Sequence, residues 1–214
     1  MNGPIQLTAK IAKGRAEPAP DIFGDGSLGR IKLEALHAFY EHGYHGTSVR
    51  TLAKAAGISV PALYHHFASK QDILFALIRR TMEDLISGTE RALETSPAEP
   101  PAQLRAIVRA HVLFHTDRRE ESFIGNTELR AFDAEHRQAV ISQRDHQQRL
   151  FDSVVDRGCD QDVFATSHPK EASRAVVTMC TAVATWYSRK GPFTPAQIAS
   201  IYEELSLSTV GYSA

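Results

Sequence analysis

The spacing of apolar and polar positions is helical almost from end to end. Apolar residues recur at three- and four-residue intervals, and no segment alternates in the manner of a strand. Leu28, Ile31, Ala35, Ala38 and Phe39 fall on one stripe that stops at Gly43. A short helix is expected from about Val49 to Ala56, stopped by Gly57, and another from Val60 to Phe67. Ser69 then opens a long helix, three residues before Asp72, the serine-to-acid spacing of a capping box. Leu74, Leu77, Ile78, Leu85 and Ile86 supply its buried face as far as about Glu94. Pro97, Pro100 and Pro101 break the pattern. Further helices are expected over 102–117, 119–130, 133–158, 169–190 and 195–211, with Gly158, Pro169, Gly191 and Pro195 as stop and start signals. The pattern predicts an all-α fold.

The most informative stretch runs GTSVRTLAKAAGISVPALYHHFASK, from Gly46 to Lys70. Ser48 is a good N-cap, and Val49, Leu52, Ala53 and Ala56 give the helix behind it a small apolar face. Gly57 permits a tight left-handed turn, and Ile58 fills the space between helices. Ser59 caps the next helix and Pro61 sits in its first turn, where no amide partner is needed. Leu63 and Phe67 point inward, which frees a face carrying Val60, Pro61, Ala62, Tyr64, His65 and His66. Such a helix fits the major groove with its N-terminal residues against base edges. Small apolar side chains there touch thymine methyls, Tyr64 and the histidines reach phosphates, and Lys70 adds a positive charge. Arg50 is the best candidate for a hydrogen-bonded base contact.

The chain then divides into a flexible tail over 1–26, mildly basic through Lys10, Lys13 and Arg15, a helix-turn-helix domain over 27–73 with three helices, and a bundle over 74–214 for ligand binding and dimerisation. Charge agrees with this division. The formal net charge is −1, so any affinity for nucleic acid must be local. From Leu28 to Lys70 there are five Lys/Arg against two carboxylates. A hydrophobic fraction of 43% supports a sizeable core. The N-terminus lacks the apolar stretch of a secretory signal, and the most apolar run, Ala175 to Tyr187, is shorter than the roughly 20 residues that a membrane helix needs. No membrane partner is expected, and a cytoplasmic location is the default.

Residues 28–75 resemble the DNA-binding domain of the TetR family of regulators, on an apolar first helix ending in Phe39 and Gly43-Tyr44, then TSVRTLAKAAGIS, then ALYHHFASKQDIL. The resemblance implies phosphate contacts at Ser48, Tyr64, His65 and Lys70, and base-edge contacts at Arg50, Val60, Pro61 and Ala62. Many relatives carry a polar residue or glycine in place of Val60 and threonine in place of Ala62, so methyl contacts and DNA shape carry more of the recognition here. TetR-like proteins pair through their last two long helices. Here the segment Arg174 to Tyr187 is apolar almost all round, and Ile198, Ile201, Tyr202 and Leu205 follow at helical spacing, as a homodimer on double-stranded operator DNA requires.

An effector is expected inside the C-terminal bundle, among Phe114, His115, Phe123, Asn126, Arg130, Arg144, Phe151 and Trp186. TELRAFDAEHRQAV, QRDHQQRLFDSVVDRG and ATWYSRKGPFTPAQIASIYEELSL are similar to a TetR subgroup that regulates fatty-acid and steroid breakdown, several members of which respond to acyl-CoA thioesters. The resemblance implies a repressor released by a small lipophilic or acyl-CoA-type molecule. Other chemistry finds little footing. His111 and His115 stand at metal-binding spacing without the glutamate of HExxH or an obvious third ligand, and Cys159 and Cys180 lack CxxC spacing. No catalytic motif, metal site or cofactor fingerprint is present. Two alternatives stay open: a helical enzyme or carrier for a lipid-like substrate with a structural helix-turn-helix, and an architectural DNA binder with no ligand.

Overall fold

The computed structural model describes residues 23, 24 and 26–213, so most of the expected tail, with Lys10, Lys13 and Arg15, lies outside the described residues. Nine α-helices and one 3₁₀ turn follow, with no strand among the described residues. α1 (Gly26–Gly46) carries a kink at Gly43, whose φ of 71° is the left-handed conformation glycine adopts freely. Leu28 stays exposed at its start, while Ile31, Ala35, Leu36 and Phe39 are buried. α2 (Val49–Ala55) and α3 (Val60–His66) follow, and then the long α4 (Lys70–Thr95). Ser69 caps α4 by accepting the Asp72 amide proton at 3.1 Å, and its hydroxyl donates to the Asp72 carboxylate at 2.8 Å.

Two apolar clusters organise the molecule. The first gathers Ile31, Ala35, Leu36, Phe39, Leu52, Ala53, Ala56 and Leu63 from α1–α3 with Ile73, Leu74, Leu77 and Ile78 of α4. It also takes in Ile124, Phe132 and Val140, which come from much later in the chain. The second is built from α5 (Pro100–Asp117), α7 (Ala134–Asp160), α8 (Pro169–Trp186) and α9 (Pro195–Thr209), through residues such as Leu104, Val108, Phe151, Val154, Val176, Val183 and Leu207.

Several helix ends differ from the spacing-based reading, each for a local reason. α5 starts at Pro100, because a proline in the first turn has no amide to leave unpaired. α6 (Arg119–Thr127) tightens into a 3₁₀ turn (Glu128–Ala131), after which the buried Phe132 turns into extended backbone. Gly158 does not stop α7. It is a packing gap: a Cβ there would lie 2.0 Å from the Phe164 ring. α8 stops at Trp186 because Tyr187 leaves the helix to enter the core, 2% exposed, with its hydroxyl donating to the Phe193 carbonyl at 3.3 Å. α9 opens with a complete capping box between Thr194 and Gln197.

Candidate nucleic-acid interface

The presentation of α3 is fixed by contacts written locally in the sequence. The Ser48 hydroxyl oxygen accepts the Thr51 amide proton at 3.0 Å and so caps α2. Ser59 does the same for α3 through the Ala62 amide at 3.2 Å, and Gly57, at φ 68°, supplies the turn between them. Leu63 is 0% exposed and pins α3 to the core, while its neighbour Tyr64 is 49% exposed. One side is locked and the other faces outward. Pro61, His65 and His66 are exposed with Tyr64, Val60 and Ala62 are half-buried, and Ser48 and Arg50 are exposed at the start of α2. No carboxylate stands between Ser48 and Lys70, so the surface is compatible with a polyanion.

Two of the expected contacts are partly committed elsewhere. Lys70 is half-buried; its ammonium donates to the Tyr44 carbonyl at 2.6 Å and the Thr47 carbonyl at 2.7 Å, and lies 4.0 Å from the centre of the Tyr44 ring. Burial pulls its pKa down. With two of three N–H donors taken, Lys70 staples the corner between α1 and α2 to the start of α4. His66 Nε2 sits 3.0 Å from the Ser27 hydroxyl, joining the end of α3 to the start of α1. Thr51, exposed with its hydroxyl 2.8 Å from that of Ser48, adds a polar group that the sequence reading did not single out. Only the cap geometry brings it to the same edge.

The bundle disperses the expected effector residues. Phe151 and His115 are buried. His115 stacks on His111 with ring centres 4.3 Å apart, and its Nδ1 donates to the His111 carbonyl at 2.8 Å. Burial pushes the pKa of His115 down to about 4, and burial with the adjacent imidazole holds His111 well below its usual range, so both are neutral near pH 7. Arg144 is half-buried and donates to the Gly125 carbonyl. Phe114 lies against the Arg118 guanidinium, and Phe123 packs edge-on against Tyr40 of α1 at 5.2 Å. Asn126 and Arg130 are exposed. Among the described residues no group of three or more His, Cys, Asp or Glu is gathered for a metal. Burial lifts the Cys180 thiol to about 12, and burial with Asp156 and Asp160 raises Cys159, so neither is an activated thiolate.

Trp186 points away from the bundle interior. It is 51% exposed and stacks on Tyr202, on an outer face shared with Phe193, Ile201 and Leu205. An open depression of about 370 Å³ lies in that face, bounded by Phe193, Ala196, Gln197, Ser200 and Ile201. Large apolar side chains grouped at the end of α8, in the segment after it and on α9 form an exposed patch of the kind found at protein–protein contacts.

A family model described as "Bacterial regulatory proteins, tetR family" matches residues 33–77, and one described as "Tetracyclin repressor-like, C-terminal domain" matches residues 97–210. Over 176 residues the chain is 28% identical to the transcriptional repressor KstR2 of Mycobacterium tuberculosis, covering 81% of this chain and 88% of that protein. Among solved structures, the TetR-family regulator PfmR of Thermus thermophilus is 33% identical, with a TM-score of 0.77 over 84% of this chain and 97% of its own. AibR, solved in complex with isovaleryl coenzyme A and operator DNA, is 21% identical and shares the fold, with a TM-score of 0.76 over 86% of this chain and all of its own.

Proposed function

The chain belongs to the tetR family of bacterial regulatory proteins, and on that premise we propose that it is a homodimeric repressor released from operator DNA by a lipophilic or acyl-CoA-type effector. The observation that carries the DNA-binding part is the contrast on α3, with Leu63 sealed in the core and Tyr64 turned outward. Two copies related by a two-fold axis present this helix to successive major grooves. Val60, Pro61, Ala62 and Arg50 face base edges. Ser48, Tyr64, His65 and His66 face phosphates, with the remaining N–H of Lys70 beside them. The pairing surface is the face formed by Trp186, Phe193, Ile201 and Leu205, and the outward direction of these apolar side chains supports it.

The switch runs through two connections between DNA-binding and effector regions. α4 begins at the Lys70 staple and carries Thr89 into the polar interior of the bundle. α6 and the turn after it lie against α1 and the start of α4. His37 faces Glu120 at 3.6 Å, Gln71 bonds the Ala131 carbonyl and the Asp133 amide, and His136 approaches Asp72 at 3.4 Å. An effector that displaces α6 or α7 therefore tilts the helix-turn-helix and changes the distance between paired α3 helices. Ligand and DNA oppose each other by one coupling free energy, reciprocal by necessity. Neither alternative, an enzyme or a ligand-free architectural binder, draws support from family membership, and a regulator of genes works in the cytoplasm with its DNA. The AibR complex, with coenzyme A thioester and operator, makes dodecanoyl-CoA a suitable probe. Operator affinity, measured with and without it, is expected to fall at least tenfold; equal affinities defeat the switch and leave DNA binding standing.

A further inference from the structure

α7 turns a buried stripe toward the bundle interior: Val140, Gln147, Phe151 and Val154 are all buried. Arg144 sits on the same stripe, one turn before Gln147. Its guanidinium donates to the Gly125 carbonyl and has no carboxylate within ion-pair distance among the described residues. The contrast with Arg118 is sharp, since that half-buried arginine meets Asp84 at 2.6 Å and Glu121 at 3.2 Å. Burial alone depresses the pKa of Arg144, with no neighbouring anion to hold it up.

The next inward position carries a second defect. Gln147 is 3% exposed, and its Nε2 donates to the Thr89 hydroxyl at 2.8 Å and approaches His111 Nδ1 at 3.2 Å. His111 Nε2 lies 2.9 Å from the Thr181 hydroxyl, and the Thr89 hydroxyl donates to the Leu85 carbonyl. The amide is thereby held with its nitrogen toward acceptors, and Gln147 Oε1 is buried without a partner. Carboxylates normally accompany arginines drawn out of water, and donors accompany buried acceptors. The half-buried Arg144 and the buried Gln147 Oε1 are thus both left able to take groups from a bound molecule.

We propose that Arg144 and Gln147 read the effector, Arg144 taking an oxyanion and Gln147 Oε1 accepting a proton from an N–H group of the same molecule. The proposal rests on the reading of the chain as an effector-released regulator and names the residues and ligand chemistry of that site. Along the helix Gln147 lies about 4.5 Å beyond Arg144, and Phe151 about 6 Å beyond Gln147. The stripe thus runs from cation to amide acceptor to aromatic core. A coenzyme A thioester has the matching order: phosphates, an arm bearing amide N–H groups, then an apolar acyl chain. A free fatty acid supplies the oxyanion and the chain but no donor for Gln147. Gln147, His111 and Phe151 are packed out of reach of solvent, so the acyl chain enters by parting α7 from α5. That is the motion the regulatory reading requires.

Calorimetric titration of the full-length protein tests this with dodecanoyl-CoA and dodecanoate as probes. The expected result is that Arg144→Gln weakens both at least tenfold, Arg144→Lys less, and Gln147→Leu weakens dodecanoyl-CoA while leaving dodecanoate unchanged. The ligand-free melting temperature of Arg144→Gln is expected to equal or exceed that of the parent, because the half-buried guanidinium has no carboxylate partner to lose and glutamine can still donate to the Gly125 carbonyl. A fall in that temperature with undiminished ligand affinity assigns Arg144 a structural role and overturns the proposal. If Arg144→Gln binds dodecanoyl-CoA as tightly as the parent while the thioester still releases operator DNA, the proposal falls and the regulatory reading stands. If dodecanoyl-CoA neither binds nor releases DNA, the assigned effector class and this site fall together.

Discussion

At the scale of single residues, the exposed face of α3 and the start of α4 separate side chains free to meet DNA from those that hold the helix in place. Tyr64→Ala removes an exposed side chain without disturbing Leu63, so affinity for every sequence should fall and its salt dependence should flatten by about one phosphate contact. Arg50→Ala should narrow the gap between operator and unrelated DNA by about 1–3 kcal/mol if the contact is bidentate to a base. Lys70→Met differs from both. It leaves the carbonyls of Tyr44 and Thr47 without their donor, so it should lower thermal stability as well as affinity, whereas Tyr64→Ala leaves stability unchanged. Filter binding over a salt series with parallel melting curves separates the three, and an unaltered melting temperature for Lys70→Met would refute the staple. The surface was legible because its requirements are local: a cap at Ser48, a turn at Gly57, a proline in the first turn. The orientation of Lys70 was not, since its partners lie 23 and 26 residues away and only tertiary packing brings them together.

At the scale of elements, helical identity was written in apolar spacing, while several ends and orientations were not. Trp186 closes α8, where Val176, Cys180, Val183 and Ala184 are buried while Arg174, Thr178 and Thr185 are exposed. The polar spacing does mark an outer side, and the size and apolarity of the indole hide that it falls there beside Thr185. Gly158 resembles a stop signal in sequence, yet the helix passes through it because Phe164, six residues later, needs the missing side chain. Gly158→Ala should therefore destabilise the protein by about 1–3 kcal/mol through overpacking, although alanine favours helix. Chemical denaturation gives the number directly. A gain in stability would show that Phe164 moves aside freely.

At the scale of the whole molecule, the buried imidazole pair makes stability depend on acidity. His115 titrates at about 4 in the folded chain and near 6.5 when unfolded, so between these values the unfolded chain binds more protons. Stability is full above about pH 6.5 and declines as pH falls toward 4, by about 3 kcal/mol from this group, with His111 acting in the same direction. His115→Asn keeps a donor for the His111 carbonyl but cannot take up the proton. The stability difference between parent and variant should therefore shift with pH across that window, in urea titrations at constant salt. A difference independent of pH would sink the account and leave the carboxylates as the source of acid lability.

The apolar cluster beneath the DNA-reading helices borrows Ile124, Phe132 and Val140 from the effector half. This limits how portable the reader is. Severed near the prolines after α4, the N-terminal piece would keep its recognition surface but lose part of its foundation. A chimera that grafts it onto a foreign sensor must import matching side chains at those three places. Operator choice and effector choice are thus bound to one shared floor, and evolution cannot exchange either half without refitting the other.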